Sequence, residues 1–102
     1  VNAGKELFDE VSKLNLEIHY LINNAGFGGH GYFHERSWEE EEKMMQLNMV
    51  TLSQLCHLYI PFMLKRNSGK ILNIASSAGL IPAILFSCNG YINLMKSLFV
   101  IV

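Results

Sequence analysis

His19-Tyr20-Leu21-Ile22-Asn23 is a short, nearly continuous apolar run that gives way at once to Asn24-Ala25-Gly26. Runs of this kind suit strands covered on both faces, as in parallel sheets. Small residues after such a strand let a ligand approach the backbone at the C-terminal edge, where open sheets bind their ligands. Lys70-Ile71-Leu72-Asn73-Ile74 is a second run of the same type, followed by the small-residue loop Ala75-Ser76-Ser77-Ala78-Gly79.

Helical patterns surround the two strands. Leu7, Phe8, Val11 and Leu14 recur at helical spacing ahead of the first, with Asn2 as a candidate N-cap. A second helix opens at Ser37, where Ser37-Trp38-Glu39-Glu40 makes a capping box. The glutamates at 39 to 42 then lie where the helix dipole favours negative charge, and read as a solvated helix start. From Lys43 to Arg66 the pattern stays helical but is apolar on more than one face, with Met45, Met49, Leu52, Cys56 and Tyr59 as one stripe. Pro61 should kink its last turns, and Asn67-Ser68-Gly69 ends it. A further helix is expected from about Ser87 or Asn89. The order helix, strand, helix, strand, helix predicts an α/β fold: a partial Rossmann-like parallel sheet with flanking helices, in a single domain over residues 1–102.

Composition narrows the function classes. The chain has 102 residues, 50% apolar and 17% charged, with a formal net charge of −1. That charged fraction is below the roughly 25% of ordinary soluble domains, so much of the surface expects to be covered. No basic stripe is present to neutralise phosphates, which argues against nucleic acid as a partner. Cys56 and Cys88 do not make a disulfide framework, and a reducing, cytoplasmic setting is expected. The N-terminus has no apolar signal segment and no initiating Met, a hint of a segment of something longer. The stretches from Met44 to Leu64 and from Ile84 to Val102 are interrupted by polar side chains, so no membrane span is expected.

Gly26-Phe27-Gly28-Gly29-His30-Gly31 matches G-x-G-x-x-G after a strand. A phosphate cradle also needs a helix opening on those glycines, and an acidic residue ending a second strand about twenty positions on. Here Tyr32-Phe33-His34-Glu35-Arg36 intervenes before the cap at Ser37, and the later stretch falls inside a helix. The glycines read as a flexible loop beside a site. His30 and His34 lack a clear third ligand, so no metal is expected.

Asn23-Asn24-Ala25-Gly26 at a strand end, Asn48 in a long helix, and Lys70-Ile71-Leu72-Asn73-Ile74-Ala75-Ser76-Ser77-Ala78-Gly79 after it resemble the short-chain dehydrogenase/reductase family, in its order and approximate spacing. The resemblance runs from about residue 3 to about residue 82. It implies an NAD(P)-dependent oxidoreductase interconverting an alcohol and a carbonyl, with NAD or NADP as coenzyme. It implies Asn24, Ala25 and Gly26 on the adenosine side of the cofactor cleft. It also implies Asn48 as organiser of a water-linked proton path, and Ser76 as the serine that holds the substrate oxygen.

The family's acid/base pair is a Tyr and a Lys four residues apart on the next helix, which puts both on one face. The lysine lowers the phenol pKa so that the tyrosine exchanges a proton with the substrate oxygen. This chain offers Tyr91 and Lys96, five apart, and five residues leave the side chains about 140° apart. Counting on from Ser76 at the family spacing lands on Asn89 and Asn93, neither of which has a tunable proton. Either those asparagines occupy the catalytic slots or an insertion has displaced Tyr91 and Lys96 from them.

By the same resemblance, the family's N-terminal glycine-rich unit and C-terminal substrate region have no counterpart in these residues. Two adjacent strands under helices meant for a wider sheet leave strand edges and apolar faces unpaired, so the isolated chain is expected to be inactive and to be marginally folded or self-associating. The alternative function is a non-catalytic remnant acting as an interaction module, with homo-oligomerisation through the 43–66 helix.

Overall fold

The computed structural model describes residues 2–26, 28 and 32–75. Their order is α1 (Ala3–Ser12), β1 (Tyr20–Asn23), α2 (Trp38–Met45), a π-helical turn (Gln46–Thr51), α3 (Leu52–Lys65) and β2 (Lys70–Asn73). The three helical pieces follow one another without a break, making one rod from Trp38 to Lys65. The strands pair in parallel, with Tyr20 opposite Lys70 and Asn23 opposite Asn73. This is the expected α/β arrangement, two neighbouring parallel strands joined by a helical crossover. The helix expected after Pro82 lies outside the described residues.

Local chemistry sets the helix ends. Ser37 has extended backbone, and its Oγ accepts from the Glu40 amide at 3.2 Å, the bond the capping box requires. Asn2 occupies the N-cap position of α1, but its side chain makes no capping bond; its carbonyl accepts from Glu6 instead. Asn67 closes α3 in the left-handed region, at φ 55°. The Asn67 amide donates to the Leu64 carbonyl and the Ser68 amide to Met63, the paired bonds of a Schellman ending. The helix runs through Pro61 to Lys65.

Among the described residues the core is one cluster, Leu52, Leu55, Cys56, Tyr59, Met63 and Ile71, with Phe8, Ile18, Leu21 and Ile60 packed against it. Phe8 meets Tyr59 edge to face at 5.0 Å between ring centres, joining α1 to α3. The buried stripe of the rod is not the one expected: Met44 is fully buried, whereas Met45 and Met49 are only half-buried. The line of burial runs through Glu41, Met44, Asn48, Leu52 and Cys56, one residue off the expected register at its N-terminal end.

A second correction concerns the strands. Both-face cover was expected, yet Tyr20, Ile22 and Leu72 are more than half exposed. Alternate side chains leave a strand on opposite faces. Leu21, Asn23 and Ile71 therefore face the helices, while the other set faces a side where no described element packs. By length and composition the 28-residue rod, with mean hydropathy 1.2 in its most apolar window, reaches what a membrane-crossing helix requires. Here its buried face forms the core against α1 and the sheet.

Candidate functional site at the strand tips

The C-terminal ends of β1 and β2 lie side by side because the register pairs Asn23 with Asn73. Asn23 is buried, and its Nδ2 donates to Oδ1 of Asn73 at 2.8 Å and lies 3.5 Å from Sγ of Cys56 on α3. The Ile74 amide donates to the Asn23 carbonyl, extending the pairing past the strand ends. Burial raises the Cys56 thiol pKa against the opposing hydrogen bonds from Asn23 and the backbone. The thiol is therefore neutral at physiological pH, and acts as a packing group rather than a nucleophile.

Beyond this cross-link the chain continues as Asn24, Ala25 and Gly26, all exposed. Two of the three carry a methyl group or less, so a flat ligand can approach the backbone at this edge. Gly28 is exposed too, and among the described residues a turn over Tyr32–Glu35 precedes α2, which begins at Trp38. The phosphate-cradle geometry is accordingly not made here by the described residues.

Asn48 sits in the π-helical turn, 3% exposed, and its Nδ2 donates to the Met44 carbonyl at 2.7 Å. A π turn moves backbone donors onto the fifth carbonyl back, and the carbonyl four residues before Asn48 takes the side-chain amide. The four-glutamate start of α2 differs from expectation in one residue. Glu39, Glu40 and Glu42 are exposed, but Glu41 is 1% exposed and pairs with the guanidinium of Arg36. A carboxylate is tolerated at that depth because it is paired.

The short chain dehydrogenase family model matches residues 2–90. The chain belongs to the short-chain dehydrogenase family. It is 42% identical to the ketoacyl reductase HetN of Nostoc sp. over 62 residues, covering 61% of this chain and 22% of that protein. Its structure resembles serine dehydrogenase from Escherichia coli with a TM-score of 0.75 at 32% identity, covering 81% of this chain and 39% of that one. A short-chain dehydrogenase from Sphingobium yanoikuyae in complex with NADPH gives 0.73 at 32% identity, over 78% and 31% of the two chains. The chain thus spans less than a third of the length of the curated relatives it matches.

Within this short-chain dehydrogenase chain, Asn24, Ala25, Gly26 and Asn48 are the expected site residues that lie in the described part; Ser76, Tyr91 and Lys96, with Asn89 and Asn93, lie outside it. At the strand tips two parallel ends lie side by side, and the segment leaving one of them is small and exposed, residues that would suit a nicotinamide coenzyme of the kind the family binds. Sequence reasoning passed over two features of this region. One is the link between Asn23 and Asn73, whose signal was that both strands end in asparagine. The other is the pairing of Arg36 with Glu41, whose signal was a cation just outside the cap and an acid one turn inside it.

Proposed function

We propose that this chain is the central part of an NAD(P)-dependent oxidoreductase that interconverts an alcohol and a carbonyl compound by hydride transfer. The observation that carries the reading is the pair of parallel strand tips, Asn23 beside Asn73, with Asn24-Ala25-Gly26 leaving at the same edge in a chain of this family. Asn24, Ala25 and Gly26 border the adenosine side of NAD or NADP. A bound nicotinamide supplies or accepts the hydride. Ser76 holds the substrate oxygen, and Asn48 organises the hydrogen-bonded path by which a proton reaches it.

Tyr91 and Lys96 are the acid/base candidates, but their five-residue spacing departs from the four-residue spacing of the family's pair. Asn89 and Asn93 stand at the family spacing but hold no transferable proton. The isolated chain is for that reason inert, and a free, buried Cys56 is in keeping with a reducing, cytoplasmic setting. The test mixes the purified chain with a panel of ketones plus NADH or NADPH, and with a panel of alcohols plus NAD+ or NADP+. No turnover is expected from the chain alone, and turnover would overthrow its inertness. The coding DNA on both sides is the companion check: an in-frame glycine-rich turn upstream marks a fragment of a complete enzyme.

A second reading, an interaction module associating through the 43–66 helix, draws on the large apolar side chains exposed between those positions, Val50, Phe62 and Leu64. Co-purification with a second copy or a full-length relative is its expected outcome. A strictly monomeric chain counts against it.

A further inference from the structure

We propose that the cavity between the C-terminal ends of α1 and α3 is a binding site for a small monocarboxylate with an apolar body. The cavity holds about 410 Å3, inside the roughly 300–1,000 Å3 of small-molecule sites. Ile18, just ahead of β1, and Arg66, the C-cap of α3, both line it. It therefore lies at the opposite end of the strands from Asn23 and Asn73, and none of its lining residues belongs to the strand tips.

The walls are apolar and aromatic. Phe8 meets two rings of α3, Tyr59 edge to face at 5.0 Å and Phe62 at a tilt at 5.8 Å, and Val11 and Ile18 continue the lining. Phe62 lines the cavity although it is more than half exposed. An apolar body laid against it would take that ring surface out of water.

Lys65 and Arg66 bring two cations to the same cavity. Nη2 of Arg66 donates to the Ile18 carbonyl, which holds the guanidinium at the cavity wall. Its Nε is buried and has no acceptor among the described residues. A buried donor left unpaired is costly, and a carboxylate is the partner a guanidinium binds most strongly. Because that nitrogen is shut off from solvent, binding turns the guanidinium into the cavity rather than finding it open. Glu17 also lines the cavity, but its side chain is 72% exposed and lies 3.5 Å from His19 Nε2. Two helices end here, and free terminal carbonyls would repel an anion. On α1 the carbonyls of Phe8, Asp9 and Val11 instead accept from Ser12, Lys13 and Leu14. On α3 those of Phe62, Met63 and Leu64 accept from Arg66, Ser68 and Asn67. Two cations thus face one outward-lying carboxylate.

The test titrates the complete gene product with decanoate, 4-phenylbutyrate and decanol, and reads calorimetric affinity together with the Arg66 Nε–H resonance. At least one acid is expected to bind one-to-one and to shift that resonance, and the tighter of the two tells an aliphatic from an aromatic body. Decanol, which lacks the carboxylate, should bind at least tenfold more weakly than decanoate. Arg66→Gln should weaken the bound acid about tenfold, and Val11→Phe, which fills the cavity from α1, by at least as much. Lys65→Gln changes an exposed side chain and should weaken it about threefold. Where Arg66→Gln fails to fold for want of its bond to Ile18, Val11→Phe and Lys65→Gln carry the decision. No saturable binding by either acid overturns the site, as does decanol binding as tightly as decanoate. Affinity unaltered in Val11→Phe and Lys65→Gln places the acid elsewhere and overturns it too. Saturation that leaves the Arg66 Nε–H resonance unmoved overturns the part given to the guanidinium, and with it the choice of a carboxylate.

Discussion

Asn23 and Asn73 end neighbouring parallel strands in register, and the amide of the first donates to the carbonyl oxygen of the second at 2.8 Å. The bond joins two strand tips by side chains at the edge where backbone pairing runs out. It also reaches α3, because the same Asn23 nitrogen lies 3.5 Å from Cys56 Sγ. Sheet and covering helix are thus tied at the edge that the proposed cleft uses.

Asn73→Leu should lower stability by about 1–3 kcal/mol, the range for depriving a buried donor of its acceptor. Urea unfolding of this variant, of Asn23→Leu and of the pair measures it. The double variant should lose clearly less than the two single losses together, because each removes the same bond. Strict additivity would show that the contact contributes nothing.

Gly69→Ala should destabilise by about 1–3 kcal/mol through overpacking. A methyl group there would stand 2.3 Å from Met63 Cγ and 2.7 Å from Met63 Cβ, and Met63 is a buried core residue. Combining it with Met63→Ala removes the obstacle, so the pair should lose less than the sum of the singles. A fully additive thermal shift would refute the contact.

Stability should fall on the alkaline side. Burial holds the Cys56 thiol above its ordinary 9.0 and the Tyr59 phenol above its ordinary 10.0. Each folded-state pKa is raised, so the stabilisation is fully present below the unfolded-state value and is lost as pH rises through the folded one. The denaturant midpoint should be insensitive to these groups near neutrality and decline above about pH 9. Cys56→Ala should remove the earlier part of that decline; an unchanged profile would contradict the burial of the thiol.

The isolated 102-residue chain should self-associate. Tyr20, Ile22 and Leu72 form an apolar strip on the side of the sheet away from the helices, and both strands have an unpaired edge among the described residues. Sedimentation should show mass rising with concentration. A sharp, concentration-independent melt from an 11.6 kDa monomer would count against this.

Much of the fold was legible in the chain. Ser37 announced a helix because its hydroxyl can accept from the amide three residues on, a local rule. Asn67 ended one because its short polar side chain tolerates the left-handed region. The two apolar runs became strands of a parallel pair for an equally local reason, since helical patterns on either side leave them only a crossover connection. The site was less legible. Asn24, Ala25, Gly26 and Asn48 could be named from their motifs, but Glu41 looked like one of four solvated acids. Its burial depends on which face of the rod turns inward, and the expected stripe was misplaced at that end.

Sequence alone determined what depends on neighbours along the chain: caps, periodicity, the alternation of elements and the motifs that carry the family likeness. Tertiary structure alone decided what depends on register between distant segments. Asn23 meets Asn73 across fifty positions, and Glu41 escapes solvent beside Arg36. One sheet face is left uncovered by the other described residues. The physical reason is the same in each case. A hydrogen bond, a buried charge pair or a covered apolar face has its free energy fixed by what the rest of the fold brings within a few ångströms, and no local pattern encodes that.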